Sequence, residues 1–305
     1  MSATKRVKLD FGSGSLESDL HSSVLPADRL HALKKRLISV EAVQNFVLDT
    51  NNRDRKNGLR DRVSDEFEQL LCLLVRTASD VVKSDQLSKL VCKNLEGVVG
   101  LLANCCHFSL NACLEKFSVR ILSKKDSDLL WPVKTSLIRL LANLCDHKEC
   151  ALGLVQTDNC VFQMVRLINS HQQPKAQLQA VRAVRLLAQL SLSLAKCVLT
   201  EDAACLIGCA LTQTPPPPNS LVQACTKALY HLCLASPKES GRQLARSGCA
   251  DKLAENLFDH LDQEGPELQL IVHLSKDSFD MRSALVKGHF LSQIRTALKT
   301  KPLEK

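Results

Sequence analysis

The residues most able to do chemistry in this 305-residue sequence are its 14 cysteines and nine histidines. Cys145-x-His147-x2-Cys150 brings three ligands of zinc-binding type within six positions. A structural zinc needs four such groups in tetrahedral array. No fourth ligand is specified, and Cys145 falls in the apolar register of a helix, so the set reads as a core cysteine beside a loop histidine. Cys205-x3-Cys209 has helical spacing and no histidine close by, which argues against metal or redox use. Cys72, Cys92, Cys145, Cys225 and Cys233 all lie in apolar helical stretches, where a thiol behaves as a small hydrophobe. G-x-S-x-G, H-E-x-x-H and a phosphate-binding glycine loop are all missing. The expectation is a protein without catalytic residues, metal or cofactor.

The more informative chemistry is a stripe of polar side chains on an otherwise apolar helix. Residues 175–191 are apolar except for Lys175, Gln177, Gln179, Arg182, Arg185 and Gln189. Arg182, Arg185 and Gln189 are spaced i, i+3, i+7 and share one face. The elements that must position them emerge when the chain is compared with itself. Five segments share a frame: Leu102-Ala103-Asn104-Cys105-Cys106, Leu141-Ala142-Asn143-Leu144-Cys145, Leu187-Ala188-Gln189-Leu190-Ser191, Leu229-Tyr230-His231-Leu232-Cys233 and Ile271-Val272-His273-Leu274-Ser275. Their starts differ by 39, 46, 42 and 42 residues. Between them recurs a small turn and a short apolar helix, as in Asp158-Asn159-Cys160, Ser247-Gly248-Cys249 and Gly288-His289-Phe290. The frame predicts long helices near 94–106, 133–146, 175–191, 220–234 and 266–276.

The block 158–191 resembles one armadillo repeat: a turn, a second helix, a polar linker and a long third helix. The resemblance extends over roughly 90–300, with HEAT repeats as the near alternative. It implies an all-α, right-handed superhelical armadillo/HEAT-like solenoid of about five repeats with a flexible N-terminal tail. Each repeat is too apolar to stand alone, and stacking makes one continuous core. The domain reading is a disordered tail over 1–25, an amphipathic helix and charged connector over 26–61, and the repeat domain over 62–305. A polar stripe that persists on helices packed along both flanks must face the open concave groove. In armadillo proteins the third helices line a peptide groove, and an Asn in this frame bonds the backbone of an extended ligand. Asn104 and Asn143 match that pattern, Gln189 is similar, and His231 and His273 depart from it. Import receptors of the family carry Trp four residues earlier, where this chain has Gly100, Arg139, Arg185, Lys227 and Gln269. Recognition of basic signals is therefore not expected. A row of Arg139, Arg185 and Lys227, roughly 10 Å apart, would instead attract an acidic or amphipathic segment. The expected groove set is Asn104, Arg139, Asn143, Arg182, Arg185, Gln189, Lys227, His231 and His273.

Charge and composition limit the remaining choices. The formal net charge is +8, and half of it lies in residues 1–60, where 11 Lys/Arg face 7 Asp/Glu. The rest is too mildly basic to imply a uniform field for nucleic acid or membrane. No apolar run approaches the ~20 residues that span a bilayer. The polar, basic start MSATKRVKLD is not a secretory leader, so a soluble, reduced, intracellular protein is expected. Lys5-Arg6-Val7-Lys8-Leu9-Asp10 resembles the single-cluster nuclear import signal of the Myc type, with Lys5, Arg6 and Lys8 meeting an import receptor. The reading is a non-enzymatic protein–protein interaction scaffold of the nucleus, possible in the cytoplasm too. The alternative is a nucleic-acid-associated helical repeat in DNA repair or chromosome maintenance, placing Arg139, Arg182, Arg185 and the 50–61 connector on phosphates.

Overall fold

The computed structural model describes residues 87–104, 112–253 and 266–287, with a few isolated residues besides. The expected tail, the helix of 26–49 and the connector lie outside the described residues. The described residues are helical throughout, joined by short turns. In chain order the helices are α1 Lys89–Asn104, α2 Ala112–Ser123, α3 Trp131–Leu144, α4 Lys148–Gln156, α5 Cys160–Arg166, α6 Pro174–Leu190, α7 Leu192–Thr200, α8 Ala203–Thr212, α9 Asn219–Ala235, α10 Pro237–Ser247, α11 Pro266–Asp277 and α12 Phe279–Lys287. A short 3₁₀ turn, Leu167–Asn169, extends α5.

The helices fall into a repeating triplet. α4, α5 and α6 form one unit, and α7, α8 and α9 the next. Three helices per repeat is the armadillo-type arrangement, where HEAT repeats use two. The long third helices α1, α3, α6, α9 and α11 pack each on the next, and they coincide with the five members of the sequence frame. On the other layer, α2 packs on α5, α8 on α10, and α10 on α12. The result is an all-α right-handed solenoid of several repeats, in which the main helix contacts among the described residues run between neighbours in the stack.

Local sequence explains where several of the helices begin. Pro132, Pro174, Pro237 and Pro266 sit in the first turn of α3, α6, α10 and α11, where the missing N–H has no intrahelical partner to lose. Ser191, Ser236 and Ser278 each stand alone between a third helix and the helix after it. The Ser191 hydroxyl accepts from the Leu194 N–H at 3.3 Å, and Ser278 does the same for Met281 at 3.2 Å. These N-caps let the chain turn sharply within one residue. The first-to-second helix turns use another device. Asn159, Asp202 and Gly248 have φ of 62°, 59° and 69°, the left-handed region open to Gly and tolerated by Asn and Asp.

The core runs through the whole stack. Leu137, Ile138, Leu141, Val184, Leu187, Leu229, Leu232 and Leu274 are fully buried on the third helices. Burying one such side chain stabilises by about 1.5–3 kcal/mol. Small residues set the spacing between repeats. A Cβ on Gly241 of α10 would come within 2.3 Å of the Ser278 Cβ, and one on Gly208 of α8 within 2.8 Å of the Ser247 Cβ. Glycine is required at both places for successive repeats to approach this closely.

Candidate partner-binding face

The polar ladder predicted from the frame lies on stacked helices. Arg139 and Asn143 are on α3, Arg182, Arg185 and Gln189 on α6, Lys227 and His231 on α9, and His273 on α11. Gln189 and Lys227 are exposed, and the others are half-buried. Asn104 closes α1, and its side chain lies outside what the structure describes.

The N-terminal members of this set bind the protein itself. The Arg139 guanidinium donates to the Gly100 carbonyl at 3.1 Å. The Asn143 amide donates to the Ala103 carbonyl at 2.8 Å. Both reach across to α1 and tie one third helix to the next. Arg182 meets Asp146 at 3.5 Å, a long, half-exposed pair worth little in water. Farther along, the Arg185 charge acts on His231. Desolvation first, and then Arg185, hold the His231 pKa below its ordinary value, so the ring favours the neutral form. Tyr230 lies edge-on to His231, with ring centroids 5.4 Å apart, and 6.4 Å from the His273 ring.

The balance of charge on these helices is lopsided. α3, α6 and α9 contain no Asp or Glu at all, while carrying Lys134, Arg139, Lys175, Arg182, Arg185 and Lys227. Lys134 is itself buried and already bonded, as described below. The others leave α3, α6 and α9 with cations that no carboxylate on these three helices offsets.

No protein-family model matches the chain. No curated protein matches it either. Solved structures do match. An engineered protein aligns over 90% of this chain and 64% of its own length at 16% identity, with a TM-score of 0.55. A designed armadillo repeat protein in complex with the peptide (KR)4 aligns over 84% of this chain and 98% of its own at 13% identity, TM-score 0.50. A computationally designed armadillo repeat protein for modular peptide recognition aligns over 81% and 98% at 14% identity, TM-score 0.48. The fold is similar to that of designed armadillo-repeat solenoids.

Other chemistry weighed in the sequence takes its place in the same framework. Among the described residues no three His, Cys, Asp or Glu side chains gather to hold a metal ion. Cys145 is fully buried, and burial pushes its thiol far above the usual range, with Cys160 adding to the effect. Cys225 and Cys233 are raised in the same way, and Cys249 is pushed up to about 12 by burial. All four stay protonated at neutral pH. No helix among the described residues is long and apolar enough to cross a membrane.

Sequence reasoning missed the polar side chains that hold the repeats together. Lys134 donates to the Leu122 carbonyl at 3.1 Å, the Lys124 carbonyl at 2.7 Å and Asp126 at 2.6 Å, so it caps the end of α2 from inside α3. Trp131, the only tryptophan, covers that ammonium at 5.5 Å. Gln177 does the equivalent work one repeat on, donating to the Ile168 carbonyl at 2.7 Å. Gln243 of α10 reaches back to the α7–α8 turn, donating to the Leu199 carbonyl at 2.8 Å and accepting from the Ala204 N–H at 3.1 Å. The usable signal was a polar residue standing alone in a buried register, as Gln177 does among Ala176, Ala180 and Val181.

Proposed function

We propose that the chain is a non-enzymatic interaction scaffold whose third-helix face forms a concave groove for an extended acidic or amphipathic segment of a protein partner. The observation that carries this reading is the absence of any carboxylate from α3, α6 and α9, together with the cations they present. The (KR)4 peptide held by the designed armadillo repeat protein is basic, and the same ligand would be repelled here by Arg185 and Lys227. The complementary ligand is acidic. Single exposed ion pairs contribute only about 0–1 kcal/mol, so binding rests on the row of charges acting together and on hydrogen bonds from groups such as Gln189.

The test reverses Arg185 and Lys227 to Glu in one chain. Arg139 is left in place because its bond to the Gly100 carbonyl makes it part of the stack. The double variant should lose the partners that the wild-type chain captures from a nuclear extract, with helicity and denaturation midpoint unchanged. Capture of the same partners by the folded variant would place the binding surface elsewhere. If the wild-type chain instead binds duplex DNA with a steep salt dependence, the nucleic-acid alternative takes over.

The same proposal places the protein in the nucleus, brought there by an import receptor on Lys5, Arg6 and Lys8. A basic cluster fits an acidic receptor groove through its charges. Replacing the three by Ala should shift a fluorescent fusion towards the cytoplasm, and a variant that stays nuclear would remove the tail from the account.

A further inference from the structure

The third-helix face changes its chemistry between α6 and α9. One position before the polar ladder, α1, α3 and α6 carry Ala103, Ala142 and Ala188, all buried. The equivalent residues on α9 and α11 are Tyr230, half-buried, and Val272, 55% exposed. Leu234, one turn beyond Tyr230 on the same side of α9, is 48% exposed. Tyr230 is the only tyrosine in the chain. Its ring stands near two imidazoles, His231 on its own helix and His273 on the next, so three rings bridge α9 and α11. Rings held in place in this way give up little conformational freedom when a ligand packs on them. Lys227 and Arg185 flank this apolar step with positive charge.

We infer that the partner segment is bipartite: acidic residues opposite Arg185 and Lys227, and one aromatic side chain seated against Tyr230, Val272 and His273. This rests on the groove reading above and specifies its ligand. Neighbouring third helices stand roughly 10 Å apart, and an extended chain advances about 3.3 Å per residue. The aromatic anchor therefore lies about three to six residues from the acid that faces Arg185. Buried aromatic anchors dominate the affinity of such interfaces while exposed charges set selectivity and encounter. Losing the anchor should weaken binding on the order of tenfold.

The experiment selects a displayed library of random peptides, about 14 residues long to span the face, on the full chain. Synthetic versions of the enriched peptides are then titrated against wild type, Tyr230→Ala and the Arg185→Glu/Lys227→Glu double variant. Enriched sequences should combine two or more Asp/Glu with a Phe, Tyr or Trp at that separation. Changing the aromatic residue to Ala should cost about tenfold on wild type and less than about twofold on Tyr230→Ala. The charge-reversed chain should bind neither form. Acidic hits without an aromatic residue, bound equally by Tyr230→Ala, overturn the anchor and leave the groove reading standing. Hits without acidic residues, hits retained by the charge-reversed chain, or no hits at all overturn the groove reading and the anchor with it. If Tyr230→Ala loses helicity, Val272→Ser takes its place, because that side chain is exposed and its loss opens no core cavity; the same aromatic discrimination should then shrink, and an undiminished discrimination overturns the anchor.

Discussion

Lys134 is an ammonium group with only 2% of its side chain exposed, set among carbonyls. Taking a charge out of water is costly unless it is paired and hydrogen-bonded. Here the cost is offset by two main-chain carbonyls at the end of α2 and by Asp126. The Leu122 carbonyl belongs to the last turn of α2 and the Lys124 carbonyl follows just after it, where the peptide dipoles gather negative potential and the last carbonyls lack intrahelical donors. The residue thus solves two problems with one group. Lys134→Met keeps the stem and removes the donor, leaving the Leu122 and Lys124 carbonyls without it. The expected loss is about 1–3 kcal/mol, read as a lower midpoint in guanidinium chloride at unchanged slope. A midpoint equal to that of wild type would mean that water serves those carbonyls as well as the lysine does. Gln177 and Gln243 meet the same need with neutral amides, so the requirement is for a donor at the helix end rather than for a charge.

At the scale of elements, the turns between first and second helices depend on single residues in the left-handed region. An L-residue with a Cβ crowds the following carbonyl there, which costs roughly 1–2 kcal/mol unless the side chain is Asn or Asp. Asp202→Gly should therefore be close to neutral, while Asp202→Val should lose about 1–2 kcal/mol of stability. Both variants lose the bond that Asp202 accepts from Arg246. That pair is exposed and worth about 0–1 kcal/mol, so the difference between the two variants isolates the backbone effect. Equal denaturation midpoints for Gly and Val would refute the left-handed assignment. The sequence made the long third helices legible because α3, α6 and α9 share a Leu-x-x-Leu frame near their ends and α11 has Ile271-x-x-Leu274, one face of a 3.6-residue period. The predicted 175–191 and 220–234 meet the observed Pro174–Leu190 and Asn219–Ala235. α1 begins at Lys89, earlier than the predicted 94, with Lys89 and Leu90 exposed and Cys92 its first buried residue. The Asp202 turn was hidden because Glu201-Asp202 offers no glycine, and only its φ reveals that it repeats Asn159 and Gly248. The ladder residues were legible as a stripe. That Arg139 and Asn143 would turn back onto the main chain of α1 was not, because helix separation decides whether a long side chain meets a carbonyl or water.

At the largest scale, the decisive property is that the main helix contacts among the described residues run between neighbours in the stack. α6 packs on α3 and on α9, whereas α11, late in the described stack, packs on α9, α10 and α12. Stability in such a chain is the sum of repeat and interface contributions, and a defect is felt over a limited distance. Leu187 on α6 and Leu274 on α11 are both fully buried, so truncating either to Ala should cost about 2–5 kcal/mol locally. Their consequences should differ in reach. Native-state hydrogen exchange reports the free energy of each opening separately. Leu274→Ala should speed exchange in α11, α12 and α9, and leave α3 close to wild type. Leu187→Ala should speed exchange on both sides, in α3 as well as in α9, because it weakens two interfaces at once. Interaction with a ligand follows the same geometry: a segment lying across Arg185, Lys227 and Tyr230 spans the α6–α9 interface and should slow exchange there first. If Leu274→Ala accelerates α3 as much as α11, the stack opens as a single cooperative unit, and the nearest-neighbour description of this solenoid is wrong.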